Sequence, residues 1–342
     1  MMGIDWSQFV TFVESYERFL VLTHIRPDGD AIGSQLGIVD LLEQLGKQGR
    51  PVIGSRFPNR YSFMDPEKRV QRFGPGHDGF EWAEAIIIVD TGVWGQLADL
   101  AKPLRECNLP RVVIDHHLTQ DELGAIRLID TTAEACGRLI VEAYDAFGKN
   151  PSPTAATGLF VALAMDTGWF HHGSTRAETF DLAARLVRHG AETPTIYQQL
   201  FERGSLARTR LLGRVLDRMQ TVNEGRIAFS EVYFSDYSAT GAVPEDTEDF
   251  VQYCRAIDGV EVGLLLIELA NGSVKVSFRS RDLVNVAEIA RSFGGGGHAR
   301  ASGATLPGPI TSARSEALAA VEKALSHADS FTPAGETSEE ED

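Results

Sequence analysis

Four short polar segments, each closing an apolar run, hold the residues best suited to chemistry. They are His24, Asp28 and Asp30 in THIRPDGDAIGS, Asp90 in IIIVDTG, Asp115, His116 and His117 in VVIDHH, and Asp166 in ALAMDTG. Together they can supply six metal ligands. All are carboxylates or imidazoles, the donors that hard and borderline divalent cations such as Mn²⁺ prefer, with no cysteine beside them to suggest a structural zinc. The chemistry this set suggests is two-metal hydrolysis.

Taken singly, the segments have plainer readings. In His24-x-x-x-Asp28-x-Asp30 the side chains leave a strand end together, and Pro27 and Gly29 shape a turn that can aim two carboxylates at adjacent ions; an exposed acidic loop would look the same. Asp90 also fits a helix cap, and Asp166, ahead of Thr167-Gly168, fits a turn or N-cap. The adjacent histidines say more, because both cannot be ordinary core residues after a buried strand. On a continuing strand His116 and His117 would point to opposite sides, one toward metal and one toward substrate, with Asp115 orienting an imidazole.

The elements that must position these residues are readable in the first half. RFLVLTH, RPVIGS, AEAIIIVD and LPRVVIDHH are apolar runs without alternation, as in parallel strands covered on both faces, and AIGSQLGIVDLLEQLG between the first two reads as a crossover helix. In open α/β sheets ligands gather beyond the carboxyl ends of the strands, where His24, Asp90 and His116 all fall. From about Pro153 the pattern turns helical. Beyond those helices RIAFSEVYFS, VEVGLLLIEL and GSVKVSFRS read as strands, and DLVNVAEIARSF and TSARSEALAAVEKALSHA as helices, giving a second, smaller α/β unit.

Composition bounds the partners. At 342 residues two domains are expected, each able to bury its own core. No apolar run approaches a bilayer span, and the acidic, aromatic N-terminus lacks the pattern of a secretory signal, so a cytoplasmic protein without a membrane anchor is expected. Cys107, Cys136 and Cys254 are odd in number and widely spaced, which suits reduced, packed thiols. The net charge of −16 argues against a nonspecific grip on long nucleic acid. A small anionic substrate needs only a local basic pocket, and residues 274–303 provide Lys275, Arg279, Arg281, Arg291 and Arg300 against Asp282 and Glu288. In the same stretch Gly294-Gly295-Gly296-Gly297-His298 reads as a loop whose glycines allow close backbone approach and an anion nest. Arg279 and Arg281, two apart, would share one strand face.

The ordered set H-x-x-x-D-x-D, lone aspartate, D-H-H, D-T-G and G-G-G-G-H resembles the DHH phosphoesterase family over nearly the whole chain, and most closely its bifunctional nano-RNase and pAp phosphatase group. The resemblance implies a parallel-sheet DHH domain over 1–188, a helical linker over 189–219 and a DHH-associated substrate domain over 220–328, and the polar, acidic composition of 329–342 marks a disordered tail. The resemblance further implies two divalent ions, Mn²⁺ first among them, with His24 and Asp28 on one ion, Asp30, His116 and Asp166 on the other, and Asp90 bridging. His117 is left to act on the leaving oxygen. Binding of the substrate falls to Gly295, Gly296, Gly297, His298, Arg279, Arg281 and Arg300, with the second domain closing across the metals.

The expected reaction is hydrolysis of a phosphoester in RNA of about two to five nucleotides, or of the 3′-phosphate of pAp, and a homodimer is compatible with the family. Linear or cyclic dinucleotides are the alternative substrates; a nucleotide-binding sensor with a decayed site is the alternative from another class. Pyrophosphate and long single strands fit less well, given the glycine-histidine segment and the acidic balance. Two departures bear on substrate preference: Trp169-Phe170-His171-His172 stands where the family often places an arginine, and Val93-Trp94-Gly95-Gln96 after Asp90 carries no basic residue.

Overall fold

The computed structural model describes residues 3–74 and 79–331, which divide into two compact units at Arg203 and Gly204. The first unit holds a sheet of six parallel strands: β1 (Arg18–Leu22), β2 (Gln48–Ile53), β3 (Gln71–Arg72), β4 (Ala85–Val89), β5 (Arg111–Asp115) and β6 (Ile126–Ile129). Their order across the sheet is β3-β2-β1-β4-β5-β6. The chain first winds outward from β1 to one edge, then returns to build from β1 toward the other. The direction therefore reverses between β1 and β4, and a crevice opens at the carboxyl ends of those two strands.

Alternate residues of the central strands feed two separate cores. Phe19, Val21, Ile87, Val89, Val112 and Ile114 pack on one face with the helices Gly29–Gln44, Cys136–Ala146 and Pro153–Asp166. Leu20, Leu22, Ile86, Ile88 and Val113 pack on the other with Leu97, Leu100 and Leu104. Burial on both faces explains why these strands read as unbroken apolar runs. The edge strands β3 and β6 were not apparent from the sequence: β3 is only two residues long and exposed, and most of β6 is only half-buried or exposed.

Close helix packing sets the geometry above the sheet. Gly29, Gly33 and Gly37 repeat every fourth residue along one face of the Gly29–Gln44 helix, against the Pro153–Asp166 helix. A Cβ on Gly33 would lie 2.2 Å from the carbonyl oxygen of Gly158, and one on Gly29 would lie 2.7 Å from Met165 Cγ. Only hydrogen at these positions lets the two helices approach so nearly. The approach brings Asp30, in the first turn of one helix, beside Asp166, the last residue of the other.

The second unit has a mixed six-stranded sheet, β11-β12-β10-β9-β8-β7, made of β7 (Gln220–Val222), β8 (Ile227–Val232), β9 (Val262–Glu268), β10 (Val274–Ser280), β11 (Gly296–His298) and β12 (Ala301–Leu306). Only β8 and β9 run parallel. One face packs on the helices Val286–Ser292 and Ile310–Phe331; the other carries the helix Leu206–Asp217 with Tyr237 and Phe250. Of the helices expected to link the domains, Thr193–Phe201 belongs to the first unit and Leu206–Asp217 to the second.

Two expectations for this unit need correction. The glycine segment is not a loop throughout, because Gly296–His298 forms an edge strand against Ala301–Gly303. Its glycines serve that pairing: a Cβ would lie 2.2 Å from Gly303 O at Gly295 and 2.6 Å from Ala301 O at Gly297, whose φ of 137° also favours glycine. The expected tail also begins too early. The last helix runs to Phe331, and Asp329 pairs with Arg226 at 2.7 Å; residues 332–342 lie outside the described residues.

Candidate metal centre

The residues flagged in the first unit assemble where the winding reverses. His24 follows β1, Asp90 follows β4 and His116 follows β5, while Asp30 and Asp166 come from the two closely packed helices. Two groups share no residue, His24, Asp28 and Asp90 in one and Asp30, His116 and Asp166 in the other, and a third group, Asp90, His116 and His117, overlaps both. Within each, one donor atom per residue lies within 4.8 Å of the others, a spread that one cation can draw together. Asp90 reaches both groups, with Oδ2 3.4 Å from His24 Nε2 and Oδ1 3.4 Å from His116 Nε2.

Backbone geometry fixes each donor. Asp28 is the N-cap of the Gly29–Gln44 helix; its Oδ1 accepts from the amides of Asp30 and Ala31, which fixes the carboxyl group with that oxygen 3.9 Å from His24 Nε2. Asp30 is fully buried and accepts from the Cys136 and Gly137 amides at 2.6 and 2.8 Å, at the start of the Cys136–Ala146 helix, and from Ser34 Oγ. That helix end offers positive partial charge to the carboxylate. Asp166 has the opposite situation, a carboxylate at a helix C-terminus, where the dipole disfavours it. Asp90 has a φ of 60°, uncommon for a residue with a side chain and typical of functional sites.

Both imidazoles are held in the tautomer a metal ligand needs. Nδ1 of His116 lies 3.2 Å from the Ala133 carbonyl and Nδ1 of His24 lies 3.0 Å from the Ile25 carbonyl. A carbonyl only accepts, so each Nδ1 carries the proton and each Nε2 faces the carboxylates. His116 Nε2 and Asp90 Oδ1 are buried without a hydrogen-bond partner among the described residues. Such orphaned atoms are costly unless something else satisfies them, and a divalent cation fits both.

The electrostatics agree with a site built for positive charge. Burial works against a charged His116, yet the carboxylates of Asp90, Asp30 and Asp166 outweigh it and lift the ring to about 10. His24 rises to about 9 in the same way, with Asp90 overcoming burial. Burial and the neighbouring Asp90 push Asp30 up to about 7, and burial with Asp30 and Asp90 raises Asp166 well above the carboxylate range. Burial would raise Asp90 too, but His116 and His24 hold it down at about 2. Without metal, protons take up the positive role.

His117 differs from its neighbour. Its Nδ1 donates to Asp115 Oδ1 at 2.8 Å, and that oxygen also accepts from the His116 amide at 2.8 Å. Asp115, fully buried, therefore orients His117 while the Ala133 carbonyl orients His116. The two rings do not point to opposite sides; their centroids are 4.5 Å apart, edge to face. Strand β5 ends at Asp115, so the histidines sit in a loop free of strand alternation.

Comparison with known proteins decides the family. The DHH family, N-terminal domain, matches residues 18–165, and the DHHA1 domain matches residues 226–327. The bifunctional oligoribonuclease and PAP phosphatase NrnA of Thermus thermophilus is 32% identical over 319 residues, 90% of each chain. The chain belongs to the DHH/DHHA1 phosphoesterases. The NrnA of Bacillus subtilis is similar to this DHH phosphoesterase at 25% identity over 304 residues, 88% of this chain and 93% of the relative. In fold, the crystal structure of an exopolyphosphatase-related protein from Bacteroides fragilis matches it with a TM-score of 0.87 at 24% identity, covering 94% and 95% of the two chains. Membership in the DHH family implies divalent metal ions, and the His/Asp groups above have the donors to hold them.

In the DHHA1 domain of this phosphoesterase the flagged basic residues take different roles. Arg279 lies on β10 beside Ala301 and Gly263; its Nη1 donates to the Phe278 carbonyl, and burial pulls its pKa down. Arg281 falls past the end of β10, where Nη2 donates to the carbonyls of Ile257 and Arg255 at 2.9 and 3.4 Å. It therefore does not share a strand face with Arg279. Arg300 Nη1 donates to the Val284 carbonyl at 3.2 Å. Gly296 has open space where a side chain would be, and His298 closes β11.

Sequence reasoning missed the groups that support the ligands. The Cys136 and Gly137 amides, Ser34, the Ala133 carbonyl and Gln120, which donates to Asp115 Oδ2 at 2.5 Å, were not flagged. Backbone groups leave no mark in a sequence. The Gly29, Gly33 and Gly37 spacing was a legible signal for the close helix approach. No helix among the described residues is long and apolar enough to cross a membrane.

Proposed function

We propose that this DHH phosphoesterase hydrolyses RNA of about two to five nucleotides to mononucleotides and removes the 3′-phosphate of pAp, using two divalent ions, with Mn²⁺ as the first choice. The observation that carries the reading is Asp90, which faces His24 on one side and His116 on the other. That arrangement suits a carboxylate shared between His24 and Asp28 on one ion and Asp30, His116 and Asp166 on the other. Similarity over 90% of both chains to a protein named for oligoribonuclease and PAP phosphatase activity supports the substrate class.

When bound, the ions would lower the pKa of water and neutralise phosphate oxygens during in-line displacement. The protein's own part is to keep the ligands aligned and to place His117, through Asp115, where it can act on the leaving oxygen. In the DHHA1 domain Arg279, His298 and the glycines Gly295, Gly296 and Gly297 are the proposed contacts to a second anionic group of the substrate. Arg281 and Arg300, already engaged with backbone carbonyls, are secondary candidates.

The test compares kcat/KM with Mn²⁺ supplied for pAp, linear dinucleotides, a five-nucleotide RNA, longer single strands and pyrophosphate. The reading requires short RNA or pAp to lead. Preference for pyrophosphate overturns the substrate assignment, and preference for dinucleotides moves it to the phosphodiesterase alternative. Metal binding without turnover of any of them would favour a sensor.

A further inference from the structure

We propose that Gln120 is a positioning residue for the phosphoester reaction, acting on His117 through Asp115. The inference rests on the hydrolase reading above and adds a residue to it. Gln120 Nε2 donates to Asp115 Oδ2 at 2.5 Å and to the His117 carbonyl at 3.0 Å. A side-chain amide has two N–H donors, and both are committed here. Asp115 Oδ1 in turn accepts from His117 Nδ1 at 2.8 Å. Gln120 thus holds one oxygen of a fully buried carboxyl group and the main chain of His117, while the other oxygen holds the ring.

The loop after β4 is shaped around this amide. A Cβ on Gly92 would fall 1.7 Å from Gln120 Oε1 and 2.4 Å from its Cδ, so glycine at this position leaves the space the amide fills. The backbones are tied as well: the Asp121 amide donates to the Gly92 carbonyl at 2.8 Å, and the Trp94 amide donates to Asp121 Oδ2 at 2.8 Å. Gln120 therefore sits where the loop carrying Asp90 meets the loop carrying His116 and His117. Without it, the Asp115 carboxyl group can rotate, the ring loses its fixed acceptor, and the imidazole samples orientations that do not reach the leaving oxygen. Outer partners of this kind are commonly worth about 10–100-fold in activity.

The experiment uses the full chain with Mn²⁺ and a five-nucleotide RNA or pAp. Gln120→Ala should lower kcat by about 10–100-fold with KM unchanged. In a His117→Ala background the same change should cost nothing further, because the pathway it serves is gone. Gly92→Ala should reproduce the Gln120→Ala loss in the wild-type chain and become neutral once Gln120 is alanine. Melting temperatures identify any variant that fails to fold. Independently of turnover, ¹⁵N NMR should find a protected His117 Nδ1–H in the wild type that exchanges freely in Gln120→Ala. Additive losses in the cycle, or an unchanged Nδ1–H signal, would overturn the proposal. A wild type inactive on RNA and pAp would sink the substrate reading alone, since the NMR comparison still decides whether Gln120 holds His117.

Discussion

Asp90 Oδ1 and His116 Nε2 lie 3.4 Å apart inside the first unit, both buried and neither hydrogen-bonded among the described residues. An acceptor and a ring nitrogen facing each other this way leave a place for one positive charge. If Asp90 serves both ions, Asp90→Ala should lower kcat on the order of 10³-fold or more, matching several kcal/mol of lost transition-state stabilisation. Calorimetric titration with Mn²⁺ should show weakened binding at both sites. Wild-type turnover by the metal-loaded variant would refute the assignment.

The pH dependence of stability follows from the same groups. His24 at about 9, His116 at about 10 and Asp30 at about 7 all stand above their ordinary values of 6.5, 6.5 and 3.8. Each favours the folded state when protonated; that contribution is complete below the ordinary value and disappears as pH rises through the raised one. Asp90, held at about 2, contributes above 3.8 and loses its contribution only as pH falls toward 2. The metal-free protein should therefore weaken as pH climbs from about 7 to about 10. Mn²⁺, which needs the same groups deprotonated, should bind more tightly over that window. Melting curves with and without Mn²⁺ should diverge as pH rises; a gap that narrows would contradict this account.

Gly33 offers a test far from the ligands in chemistry but not in space. Gly33→Ala forces a methyl group into the Gly158 carbonyl and should destabilise the protein by about 1–3 kcal/mol, as overpacking does. The helices should move apart, carrying Asp166 from Asp30 and His116, so Mn²⁺ affinity should fall as well. Urea unfolding and metal titration measure the two effects. An unchanged metal affinity would show that Asp166 is positioned by something other than this crossing.

The arginines of the second unit separate into binding and structural roles. Arg279→Ala should raise KM for short RNA or pAp with little change in melting temperature. Arg281→Ala removes a donor to the Ile257 and Arg255 carbonyls and should act mainly on stability, by about 1–2 kcal/mol. Equal KM effects from both substitutions would show that the backbone contacts of Arg281 are given up when substrate binds.

What could be read beforehand depended on how each feature is encoded. The central parallel strands announced themselves as apolar runs because both faces are covered, and the polar residues ending them marked the crevice before its shape was known. Edge strands β3 and β6 escaped notice since little of either is buried. Alternation failed for His116 and His117, and for Arg279 and Arg281, for a related reason: β5 stops before both histidines and β10 stops between the two arginines, and a strand end is the least legible boundary in a sequence. The glycines before His298 were legible as needing close approach, but the partner proved to be the neighbouring strand.

The crossing of the two glycine-lined helices also orders events in time. Asp166 is the last of the candidate ligands to leave the ribosome, and it meets the others only when its helix seats on Gly33. Until then the nascent chain can offer at most a partial set of donors to passing ions.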